Sequence, residues 1–161
     1  MSFSDDIAKF VKKCGTNTDL VVRKTVLNIG TKLVERTPVG DTEYWTSLQP
    51  SSNIATHKVE YKRKPPPGYV GGHARANWTY SEGVRVEREI KGIDKTGTST
   101  IANIISSVPV KAAGKVHYIQ NSVPYIQALE DGHSRQAPNG MVGLTQIEFK
   151  DFLTKALAEL K

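Results

Sequence analysis

The sequence predicts an α+β fold. A long N-terminal helix and a C-terminal helix pack on a small, mainly antiparallel β-sheet, and a long loop is inserted between the first helix and the sheet. Three patterns carry this reading: apolar residues at three- and four-residue steps over the first third of the chain, alternation from Trp78 onward, and a return to helical steps after Gly143. At 161 residues the chain fits one domain, 1–161, with the insertion at about 43–72.

In the first third, Ile7, Phe10, Val11, Cys14, Thr18, Val22, Val26, Ile29 and Leu33 fall on one helix face. Ser4 is the predicted N-cap, with Asp5 and Asp6 in the first turn, where the helix dipole favours negative charge. Gly15 and Asn17 are expected to break the run into two helices, the second capped by Asn17 or Thr18. Pro38 ends the pattern, because the residue before a proline is pushed out of the helical region.

Residues 38–73 are predicted to be irregular, apart from a short strand at Thr56–Lys62. Pro65–Pro66–Pro67 stiffens the stretch, and Gly68, Gly71 and Gly72 follow. So long a segment without regular structure is usually functional or ordered by a partner. Lys58, Tyr61, Lys62, Arg63, Lys64 and Tyr69 are its candidate contact residues. They are expected to order against a neighbouring subunit.

From Ala74 the chain turns to β. Trp78, Tyr80, Val84 and Val86 sit at even spacing, with Ser81–Glu82–Gly83 as the expected turn of a strand pair. Ile101, Ile104, Ile105 and Val108 follow helical steps, with Thr98 or Ser99 as the cap and Pro109 as the stop. Val116–Asn121 reads as a strand, and Pro124–Glu130 as a short helix begun by proline. A last helix from Gly143 carries Leu144, Ile147, Phe149, Phe152, Leu153, Leu157 and Leu160.

Composition narrows the function classes. The single cysteine, Cys14, excludes an intrachain disulfide. No apolar run approaches the ~20 residues of a membrane span, so a soluble protein made in the cytoplasm, with no membrane partner, is expected. The net charge of +6 is uneven: residues 1–80 hold 12 Lys/Arg against 7 Asp/Glu, and residues 81–161 hold 10 against 9. The densest basic patch, His57–Lys64, could meet nucleic acid or an acidic protein surface.

Catalytic and metal-binding patterns are not found. His57, His73, His117 and His133 are scattered, with no pair at three- or four-residue spacing and no HExxH. Glu130, Asp131, His133 and Ser134 are neighbours, but a catalytic triad usually draws on separate segments, and Asp131–Gly132 reads more simply as a turn. Gly68–Gly72 lacks the spacing of a phosphate-binding loop. The expectation is a non-enzymatic protein with no cofactor.

Three blocks carry a family resemblance: Thr37–Thr42 (TPVGDT), Gly68–Trp78 (GYVGGHARANW) and Asn121–Thr145 (NSVPYIQALEDGHSRQAPNGMVGLT). In this order, and over about a quarter of the chain, they resemble the tail-completion or head–tail joining proteins of tailed bacteriophages. The matching motif residues are Pro38, Arg75, Trp78, Pro124, Tyr125, Leu129, Glu130, Gly132, Pro138, Gly140 and Met141. In many members the TPV turn runs almost directly into the Arg-x-x-Trp segment, whereas here Glu43–Pro67 intervenes. The resemblance implies a structural virion protein of the phage neck, assembled in the host cytoplasm. It implies a ring of self-associated copies, commonly six, between the head connector or adaptor and the tail proteins, close to the packaged DNA.

Read from residue types alone, these motif residues suit a scaffold. Trp78 is expected to anchor the core, and Arg75 to lie on the opposite strand face, pairing across a subunit boundary or with Glu130. Two alternatives remain: a tail-terminator ring capping the tail tube, and a basic nucleic-acid-binding module.

Overall fold

A computed structural model describes residues 3–41, 46–50, 58–62, 65 and 67–160, with 46–50 and 58–62 described by their backbone pairing. The fold is α+β, as predicted. Helix α1 (Phe3–Arg36) runs through the N-terminal third, and the chain then forms a hairpin of β1 (Thr46–Pro50) and β2 (Lys58–Lys62). A one-turn helix α2 (His73–Ala76) leads into β3 (Trp78–Glu82). Helix α3 (Thr98–Ser107), strand β4 (His117–Asn121) and three helices, α4 (Ile126–Glu130), α5 (Val142–Ile147) and α6 (Phe149–Ala158), complete the chain.

Helix α1 is continuous, so the expected break at Gly15 and Asn17 does not occur. A glycine in a helix interior costs only ~1 kcal/mol. The Thr16 and Thr18 hydroxyls donate to the Lys12 and Cys14 carbonyls one turn back, satisfying themselves inside the helix. The helix starts at Phe3, so Ser4 lies within it rather than capping it. Its apolar face is buried only in the second half. Val21, Val26, Leu33 and Val34 are in the core, whereas Ile7, Phe10 and Val11 are exposed.

The expected strand pair with a turn at Ser81–Gly83 does not form either. Strand β3 pairs antiparallel with β4 instead, with Trp78 opposite Asn121 and Glu82 opposite His117. Val84 and Val86 are exposed, and Val86 only lends its carbonyl to Gln120 Nε2. Upstream, β1 and β2 pair antiparallel in a second sheet, Thr46 opposite Lys62 and Pro50 opposite Lys58. Strand β2 falls inside the predicted Thr56–Lys62; its partner β1 was not expected.

The cap of α3 is neither Thr98 nor Ser99. Asp94 takes that role: its Oδ1 accepts from the Gly97 N–H at 2.7 Å, and its Oδ2 accepts from the Thr100 N–H and hydroxyl at 2.8 and 2.9 Å. The expected single C-terminal helix is two, α5 and α6, joined at Glu148. Phe152 and Ala156 are buried, whereas Ile147, Phe149 and Leu157 are exposed. Helix α6 packs along α1, with Lys24 Nζ 2.5 Å from Glu159 and Arg36 2.5 Å from Glu148. The core gathers Val26, Leu33 and Val34 of α1, Trp78 of β3, Ile104 and Val108 at α3, and Ala137 and Met141 before α5.

Candidate functional site

The C-terminal end of α1 leaves carbonyls without partners inside the helix, as every helix end does. Arg75, on α2 rather than on a strand, satisfies them. Its Nε and Nη2 donate to the Thr37 carbonyl at 3.1 and 2.7 Å, Nη2 also reaches the Glu35 carbonyl, and Nη1 donates to Lys95 O at 2.6 Å. Burial lowers the Arg75 pKa, and the nearby charges of Asp94 and Glu35 oppose that shift. Arg75 therefore does not pair with Glu130, and its predicted position on a strand face is corrected.

Thr37 is fully buried beside it. Its hydroxyl donates to Leu33 O and accepts from Trp78 Nε1, both at 2.6 Å. This gives the indole the partner that a buried Trp normally needs. Trp78 is a core residue, as expected. Pro38 is buried directly after Thr37. Gln136 then clasps Val39, accepting from its N–H at 3.1 Å and donating to its carbonyl at 2.8 Å.

Glu130 works on the other side of the junction. Its carboxylate accepts from the Met141 and Val142 N–H groups, both at 2.8 Å, and from the Gly143 N–H at 2.9 Å. It thus caps the start of α5 from the end of α4. Burial would raise its pKa, but the three N–H donors outweigh burial and hold the carboxyl below its usual range. Gly140 is required here: at φ +73°, a Cβ would strike the Glu130 carbonyl oxygen. Gly132 approaches Pro138 in the same way, and Met141 is fully buried beneath them.

Leu129 is half-buried against the core. Pro124 and Tyr125 precede α4, with Tyr125 exposed and its hydroxyl pKa raised by partial burial. Four of the motif residues, Pro38, Arg75, Pro138 and Gly140, line a shallow recess of about 200 Å³ together with Arg36, Gln136 and Leu144.

Lys58, Tyr61 and Lys62 lie on β2, while Arg63 and Lys64 fall outside the described residues. Tyr69 is half-buried with its hydroxyl against Gly40, and burial raises its pKa. Among the loop residues with described side chains, Tyr69 is the one placed beside the junction.

Sequence reading missed Thr37 as the hub, and Gln136 and Asp94 as caps. A threonine just before a helix-ending proline was the available clue for Thr37. For Asp94, the clue was an Asp ahead of the run Thr96–Thr100, rich in small residues.

Among the described residues, no three His, Cys, Asp or Glu side chains could hold a metal ion. His73 faces Gly92 O and Glu89, His117 faces Tyr80 Oη and Ala112 O, and His133 faces Ala128 O. His57 lies outside the described residues. No described helix is long and apolar enough to cross a membrane. Comparison with protein-family models, curated proteins and solved structures gives no match.

Proposed function

We propose that this protein is a structural component of a tailed-bacteriophage neck. Copies of it form a ring, six in number as is common in the family it resembles, that completes the tail and joins it to the DNA-filled head. One observation carries the reading: three blocks far apart in sequence, each resembling the tail-completion family, meet at the end of α1. Thr37 and Pro38 come from the first block, Arg75 and Trp78 from the second, and Glu130 and Met141 from the third. Three blocks that meet at one junction support a shared scaffold better than three unrelated short matches would. A fold alone does not fix function, so the motif residues rather than the architecture bear the weight.

The test is electron microscopy of particles made without the protein. Filled heads beside finished but unattached tails are the expected result. Overlong tails would assign the protein to the tail terminator instead. Normal particles would end the neck reading, and steeply salt-dependent binding of the free protein to duplex DNA would then favour the nucleic-acid alternative.

A further inference from the structure

Strand β4 has an open edge. The Gly83 N–H donates to Val116 O at 2.9 Å, and bonded and non-bonded pairs alternate along an antiparallel ladder. With the register of the sheet, Ser81–Tyr118 and Thr79–Gln120 are the bonded pairs, and His117, Ile119 and Asn121 turn their backbone groups away from β3. Among the described residues, those N–H and C=O groups meet no partner. Strand β3 sits against α1 and α3, which leaves β4 as the outer strand.

At the end of β4, Gln120, Asn121 and Ser122 line a groove of about 290 Å³ with Arg85, Glu87 and Glu89. Gln120 Nε2 donates to the Val86 carbonyl, whereas its Oε1 is buried without a partner. A buried acceptor left unbonded and a bare strand edge are both uncommon in a finished fold.

The same chain holds a strand that lacks a neighbour. Strands β1 and β2 form a sheet of their own, not joined to β3 and β4. A two-stranded hairpin is at best marginally stable in water, and a third strand or a packed face is what it needs. We propose that β2 of one copy adds to the free edge of β4 in the next, giving a sheet of order β1-β2-β4-β3 across the subunit boundary. This rests on the ring reading and deepens it by naming the contact between copies.

Length, charge and topology favour β2 of a second copy. Strands β2 and β4 are both five residues long, so they match end to end. Strand β1 (TSLQP) is uncharged and ends in Pro50, which has no N–H to offer. Strand β2 (KVEYK) is net positive and runs on into Arg63 and Lys64, which suits a groove where two carboxylates stand against one guanidinium. Main-chain bonds supply affinity in strand addition, and side chains supply specificity. Donor and acceptor edges are different surfaces of one chain, so the contact is heterologous and repeats from copy to copy until a ring closes.

Residue-resolved amide exchange tests this contact. The acceptor is isotope-labelled protein in which a Gly/Ser linker replaces residues 43–67, so that it has no hairpin of its own. Protection retained at Tyr118 and Gln120, whose N–H groups point to β3, verifies that its sheet is folded. Adding unlabelled natural protein should slow exchange at His117, Ile119 and Asn121, the alternate amides of the same strand. Raised salt, or Glu87→Lys in the acceptor, should reduce that gain. No gain on adding natural protein would overturn the proposal. So would an equal gain on adding unlabelled acceptor, which means that β4 edges pair with each other. Slow exchange at these three amides in natural protein at every dilution would also overturn it, by placing the hairpin on its own β4. If the gain occurs while particles lacking the protein are normal, the contact stands and the neck reading fails. A symmetric neck ring with the β4 edge uncovered gives the converse.

Discussion

Thr37 shows how much one hydroxyl can organise. It closes the last turn of α1 through Leu33 O, accepts the Trp78 indole N–H, and its own carbonyl takes two donors from Arg75. Thr37→Val keeps the shape but leaves the buried indole N–H unpartnered, and a loss of ~1–3 kcal/mol is expected by denaturant titration. Trp78→Ala also removes the packing, so ~3–5 kcal/mol is expected from the same measurement. A melting temperature left unchanged by Trp78→Ala would contradict its place in the core. Glu130 adds a pH dependence. Its folded pKa lies below the ordinary 4.5, so its contribution is complete above that pH and is lost as pH falls through the lower, folded value. Stability should therefore drop on acidification below about pH 4.5, and Glu130→Gln should flatten that limb of the stability–pH curve. Trp78 was legible in the sequence because a large apolar residue on an alternating segment has few other uses. Arg75 and Glu130 were legible only as charges seeking charges. Their partners are backbone carbonyls and N–H groups from remote segments, which no residue letter records.

Elements were legible where period is sustained and obscure where pairing is distant. Helix α1 follows from its three- and four-residue steps. The partner of β3 did not follow, because β4 lies beyond α3 while Val84 and Val86 offered a nearer alternation. The continuity of α1 across Gly15 also escaped reading, since a glycine penalty is small against the bonds of a long helix. Gly15→Ala should thus stabilise the protein by ~0.5–1 kcal/mol, because the new methyl group meets open space. Destabilisation in thermal melts would show that the helix does break there. The segment after β3 carries a different sensitivity. His73 spans Gly92 O at 2.9 Å and Glu89 at 2.8 Å, holding the returning chain against α2. The hydrogen bond to Glu89 and that to Gly92 raise its pKa above 6.5 against the effect of burial. The contribution is then full below pH 6.5 and is lost as pH rises through the raised, folded value. Amide exchange at residues 84–93, corrected for intrinsic rate, should show protection falling as pH rises past neutrality. His73→Gln should remove that pH dependence.

At the scale of the molecule, the described core draws on residues before and after the hairpin-bearing insertion. None of the residues in the described core lies between Asp41 and Pro67. The chain also leaves and returns at nearly one place: Gly71 packs so closely on Gly40 that a Cβ on it would collide with the Gly40 carbonyl oxygen. Joining two ends that are already adjacent costs little, because loop-closure entropy changes only as the logarithm of length. Replacing residues 43–67 with a short Gly/Ser linker should therefore leave the melting temperature within a few degrees, ~1 kcal/mol or less. Lys58, Lys62, Arg63 and Lys64 would all be removed together with Glu43 and Glu60, lowering the net charge from +6 to +4. Such a basic group guides encounter with an acidic neighbour more than it strengthens the final contact. The shortened protein should accordingly fold, yet fail to restore head–tail joining to particles that lack the natural protein. Restored joining would mean that the insertion serves some other contact. A collapse in melting temperature would mean that it belongs to the core.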